Sequence, residues 1–96
     1  MLENYFKKGD RALSTYEAYG RNPVIFNRVI ENYKKGLKLH PKNILYHYRL
    51  GYAYHLMRRL MEASSEYEIV LKLDPPQTAS EEFFKLSLKY APRIFV

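Results

Sequence analysis

Residues 37–41, Leu37-Lys38-Leu39-His40-Pro41, return 34 positions later as Leu71-Lys72-Leu73-Asp74-Pro75. Carried upstream, the same overlay sets Phe26 on Leu60, Val29 on Ala63, Ile30 on Ser64, Tyr33 on Tyr67 and Gly36 on Val70. In both copies apolar or small residues recur at i, i+3, i+4, i+7 and i+10 or i+11, the stripe of an amphipathic helix. Each copy then meets a proline, whose ring and missing N–H forbid continuation. The overlay predicts two helices of one kind, 23–40 and 60–73.

Between the prolines, His47, Leu50, Gly51 and Tyr54 share one helical side, which predicts a helix over 44–57. The turn into 60–73 should lie around Arg58 and Arg59. Two helices of this length joined by so short a turn form an antiparallel pair. Gly51 and Ala63 are small where the backbones must approach, and Tyr54 and Tyr67 fill the volume between them.

The order His47-x2-Leu50-Gly51-x2-Tyr54, then Ala63-x3-Tyr67, then Pro75, resembles the tetratricopeptide repeat family. That signature is an aromatic, Leu-Gly, Tyr, then Ala, an aromatic and Pro; only His47 departs from it. The resemblance is strong over 44–77 and weaker over 10–43. It implies an all-α superhelix of two antiparallel hairpins, 1–43 and 44–77, in a single domain spanning 1–96.

The ends are less regular. Leu2, Tyr5, Phe6, Gly9, Leu13 and Tyr16 follow helical spacing, so a first helix is expected over about 2–19. Gly20 would end it, and Asn22-Pro23 would cap and begin the next. At the 34-residue offset, however, Tyr16, Glu17 and Gly20 stand where Leu50, Gly51 and Tyr54 should be matched. After Pro75-Pro76, Thr78-x-x-Glu81 reads as a capping box, and Phe83, Phe84, Leu86, Leu88 and Tyr90 follow before Pro92. A fifth helix, 79–91, is expected in 78–96, where the resemblance implies a cap on the open end of the stack.

Composition excludes several chemistries. There is no cysteine, hence no disulfide, thiolate nucleophile or cysteine-ligated zinc. The three imidazoles, His40, His47 and His55, are not spaced with acids as a metal face requires. Ser64 and Ser65 have no base near them in sequence, and no glycine-rich phosphate loop occurs. Glu62, Glu66, Glu81 and Glu82 read as solvated faces and caps. The expectation is a non-enzyme that needs no cofactor. Met1–Lys8 carries an acid where a signal peptide wants bases, and no run is long enough to span a membrane. A soluble, cytoplasmic chain without membrane insertion is therefore expected.

Binding is better supported by the residues. Helix 44–57 is apolar on two sides, and the second runs Leu45, Tyr48, Tyr52 and Leu56 with Arg49 and His55 beside it. The resemblance implies a concave groove that takes a protein or peptide partner, with these residues and Phe83 and Leu86 as its walls. The same offset places Ser14, Ala18 and Arg21 on one side of that groove. Some members of the family grip a C-terminal carboxylate with paired Lys, Asn and Arg. Tyr48 and Tyr52 stand at matching positions here, which favours an apolar segment as the ligand.

Two further readings stay open. Ten Tyr and five Phe, in a chain with two hairpins and an extra helix, would also suit a homodimer or one unit of a larger helical assembly. Sixteen Lys and Arg against ten acids give a net charge of +6, with Lys34, Lys38 and Lys42 at helical spacing and Lys35 adjacent. Such a patch suits acidic partners or phosphates, although no nucleic-acid-binding fold signature accompanies it.

Overall fold

Four helices account for nearly all of residues 4–73, the part of the chain described by the computed structural model. They are α1 (Tyr5–Tyr19), α2 (Pro23–Leu39), α3 (Ile44–Leu56) and α4 (Leu60–Leu73), with no strand among the described residues. The expected helix 79–91 lies outside the described residues. The chain divides into two compact units between Pro41 and Lys42. Within the first α1 packs on α2, and within the second α3 packs on α4.

Local chemistry sets the ends of each helix. Asn4 Oδ1 accepts the Lys7 N–H (3.0 Å), Asn22 that of Val24 (2.8 Å) and Asn43 that of Tyr46 (3.0 Å), so three helices begin on an asparagine cap. Pro23 occupies the first turn of α2, where a missing N–H costs nothing. Gly20 closes α1 at φ 93°, a left-handed conformation that glycine adopts without a Cβ penalty. The last helical bond of α2 runs from the His40 N–H to the Gly36 carbonyl (2.9 Å), directly before Pro41.

The α3–α4 turn falls at the expected place and has a definite form. The Arg59 N–H donates to the Tyr54 carbonyl and the Arg58 N–H to the His55 carbonyl, each at 2.9 Å. These are the two bonds of a Schellman motif, with Arg58 at the position usually given to glycine. Arg58 accordingly sits at φ 59°, the one non-glycine residue with positive φ among those described.

In the first hairpin, α2 buries Phe26, Val29, Ile30, Tyr33, Gly36 and Leu37 along a single stripe. Each large side chain removed from water there contributes about 1.5–3 kcal/mol before entropy is counted. Tyr16 on α1 stacks obliquely on Phe26 with centroids 5.9 Å apart. The closest approaches are made at glycine: the Tyr33 ring covers Gly9, and the Phe6 ring covers Gly36. In the second hairpin the Tyr67 ring covers Gly51 in the same way.

That shared contact corrects the register of α1. Gly9 stands 24 residues before Tyr33, whereas Gly51 stands 16 residues before Tyr67. The first hairpin thus carries eight additional residues around its tip, and a 34-residue offset cannot superpose α1 on α3. Aligned on the glycines, Phe6 and Asp10 take the places of Tyr48 and Tyr52, where the constant offset would put Ser14 and Ala18. Both are engaged inside the hairpin. Phe6 lies on Gly36, and Asp10 Oδ1 accepts the Tyr33 hydroxyl at 2.6 Å.

Candidate interaction face of the second hairpin

The second hairpin presents an unusual helix. Over its thirteen residues α3 carries a single Lys or Arg, Arg49, and no acid. His47, Leu50, Gly51 and Tyr54 are buried, and Ala53 is buried as well. On α4, Ala63, Ser64, Tyr67 and Val70 are buried.

His47 is held at the place where the family signature has an aromatic. Its Nδ1 lies 2.8 Å from Glu66 Oε1, and both side chains are largely covered. An ionised carboxylate can only accept, so in that state of Glu66 the imidazole donates from Nδ1. Glu66 is therefore not the solvated acid that the sequence reading expects. A signal existed: Glu66 stands three residues after Ala63 and four before Val70, on the edge of the α4 stripe. Glu62, by contrast, is a helix-end acid. It accepts from Arg59 Nε at 3.0 Å and from the second guanidinium nitrogen, and this hydrogen bonding holds the Arg59 guanidinium still more firmly protonated. The Arg59 guanidinium carbon also lies 5.3 Å from the centre of the Tyr54 ring.

The other side of α3 has Leu45 exposed and Tyr48, Tyr52 and Leu56 partly buried, with Arg49 and His55 partly buried at its edges. Residues 45, 48, 52 and 56 share one side of a helix, so these four are brought together. The Tyr48 ring leans on Tyr67 at 5.9 Å between centroids, which anchors the row to the α4 core. Arg49 is oriented locally: its Nη1 donates to the Tyr46 hydroxyl at 3.1 Å, and its guanidinium carbon stands 5.0 Å above the Tyr46 ring. A planar cation fixed over an aromatic gives directional contacts that a lysine would not. Phe83 and Leu86 lie outside the described residues.

The basic patch is brought together in part. Lys34, Lys35 and Lys38 are exposed on α2, and Lys35 Nζ bonds Glu31 Oε1 at 2.9 Å. That hydrogen bond and the lysine's charge hold the Glu31 carboxyl below its ordinary range. Lys42 does not extend the row, because Pro41 stops the helix and leaves Lys42 in the turn beyond it. Among the described residues no cluster of His, Asp and Glu could hold a metal ion. No helix among them is long and apolar enough to cross a membrane.

Residues 28–57 match a family model described as TPR repeat. Over this stretch the chain is similar to tetratricopeptide repeats. The match begins within α2, passes through the Asn43-capped turn and ends after α3. It thus contains Val29, Ile30, Tyr33, Leu37 and Pro41 of one stripe together with His47, Leu50, Gly51 and Tyr54 of the other. The four helices of the described residues agree with that match. No curated protein and no solved structure matches the chain. Tetratricopeptide repeats are in general protein-interaction modules.

Proposed function

We infer that this chain is a protein-interaction module whose partner segment lies along the second side of α3. The contact row is Leu45, Tyr48, Tyr52 and Leu56, with Arg49 and His55 at its margins. The observation that carries this reading is the composition of α3: a helix that already buries one side still has no acid, and no Lys or Arg but Arg49, on the rest of its surface. A solvated helix side is normally polar and charged. Tyr and Arg are also the residues that most often dominate binding energy, since they supply large rigid area with a polar end.

Truncating such an anchor costs about 2 kcal/mol, or roughly 30-fold in affinity. Tyr52→Ala is the cleaner change, because Tyr48 also touches Tyr67. Partners retained by the intact chain from a host extract are identified, and Tyr52→Ala and Tyr48→Ala/Tyr52→Ala are compared for the same partners. Loss in both variants with helicity unchanged is the expected result. Equal retention by the double variant refutes the assignment.

The same row could instead pair with a second copy of the chain, since a tyrosine row serves either kind of partner. Light scattering across a concentration series separates the two: self-pairing requires a mass that doubles with concentration and stays single in the double variant.

A further inference from the structure

The first hairpin carries a second surface of different chemistry. Its described residues, 4–41, include eight Lys and Arg against three acids, a net charge of +5; residues 42–73 carry five against three, a net charge of +2. All eight cations of the first hairpin are exposed. Of its three acids, Asp10 is turned inward to the Tyr33 hydroxyl, Glu31 is exposed and bonded to Lys35, and Glu17 is exposed on α1, so Glu31 is the one acid on α2.

On α2 the charge is arranged in a pattern. The helix separates cleanly: Phe26, Val29, Ile30, Tyr33, Gly36 and Leu37 face the core, and the opposite side is exposed from end to end. That outer side opens with Val24, which is 60% exposed, and closes with Leu39, which is 62% exposed. Between them stand Arg28, Lys34, Lys35 and Lys38, with Glu31 the one acid. Val24 and Leu39 are 15 residues apart, about 22 Å along the helix axis.

We propose that the outer side of α2 is a docking surface for an acidic protein segment, with acids at its centre and bulky apolar residues about 22 Å apart at its two ends. The central cations meet the acids, and the terminal apolar pair meets Val24 and Leu39. A second copy of this chain does not suit the surface, because it would bring another +5 hairpin against the first. A nucleic-acid strand suits it less well than a protein: Glu31 interrupts the phosphate track, and Val24 and Leu39 would remain uncovered. The surface belongs to α2 alone and is independent of the α3 row proposed above.

The test uses the whole chain and a labelled 20-residue helical peptide with a central Asp/Glu block and Leu at both ends, followed by fluorescence anisotropy at low salt. Binding is expected to weaken as salt is added. Arg28→Glu/Lys34→Glu/Lys38→Glu should reduce it by about tenfold or more, and Val24→Ser/Leu39→Ser by several-fold. Tyr48→Ala/Tyr52→Ala should leave it unchanged. Circular dichroism checks that each variant keeps its helicity, and Lys34→Ala/Lys38→Ala replaces the triple variant if that one unfolds. No binding at low salt overturns the proposal, as does equal binding by the charge-reversed variant. Loss in the Tyr48/Tyr52 variant assigns the peptide to α3 and overturns it too. An oligouridylate of the same charge that binds more tightly than the peptide, with no response to Val24→Ser/Leu39→Ser, makes this a nucleic-acid surface instead.

Discussion

Replacing each ring-covered glycine with alanine should give three different results, and their order tests the packing described above. Alanine favours a helix over glycine by about 1 kcal/mol, so with no steric conflict all three changes would stabilise. Steric conflict exists at all three sites. A Cβ at Gly51 would lie 2.7 Å from the Tyr67 ring, and those at Gly9 and Gly36 would meet the Tyr33 and Phe6 rings more closely still. What separates the sites is whether the ring can retreat. Tyr33 is fully buried and its hydroxyl is tied to Asp10 at 2.6 Å, so its ring is fixed at both ends. Tyr67 is 1% exposed and backed by Tyr48. Phe6 is partly exposed in the first turn of α1 and can swing outward.

Overpacking against a fixed ring costs about 1–3 kcal/mol, and displacing Tyr33 would also forfeit a hydrogen bond to a charged group, worth about 1.5–3 kcal/mol. Net of propensity, Gly9→Ala should destabilise by about 3 kcal/mol and Gly51→Ala by about 1 kcal/mol, with Gly36→Ala near neutral. Urea titrations followed by circular dichroism give the midpoint and slope for each variant. A double-mutant cycle sharpens the test: with Tyr33→Phe in place the ring loses its tether, and the added cost of Gly9→Ala should fall by about 2 kcal/mol. If Gly9→Ala is as mild as Gly36→Ala, or the cycle shows no coupling, the Tyr33–Asp10 tether does not hold the ring and the reasoning fails.

Arg58→Gly should stabilise the second hairpin by about 1 kcal/mol, because glycine occupies the left-handed end of a Schellman motif without a Cβ penalty; a lowered urea midpoint would contradict the φ of 59° found there. Glu66→Leu removes the acceptor from His47 Nδ1 and should cost about 1–2 kcal/mol, while Glu66→Gln keeps a carbonyl acceptor and should cost less. Thermal melts of the two variants at neutral pH distinguish these outcomes, and equal melting temperatures would show that the contact contributes nothing.

How much of this was legible without a fold follows from the range of each interaction. Apolar stripes, prolines and glycine ends act within a turn or two of chain, and they located the four helices to within a few residues. The same local signals placed the α3–α4 turn at Arg58 and Arg59 and marked α3 as apolar on two sides. Lys42 failed for a local reason that was also readable, since Pro41 stands before it. The first register failed differently. A constant offset assumes that insertions are absent, and eight residues added near the hairpin tip change no periodicity within either helix.

The 34-residue recurrence from Leu37 to Pro41 thus determined, by itself, that 23–40 and 60–73 are helices of one kind. The tertiary structure alone decided which glycine lies beneath which ring, that Asp10 serves Tyr33 and that Glu66 serves His47. Those pairs lie 23 and 19 residues apart, and each exists only because two helices dock in one particular register. Helical period states which side of a helix is buried; it does not state how far one helix slides along the other before ring and glycine meet.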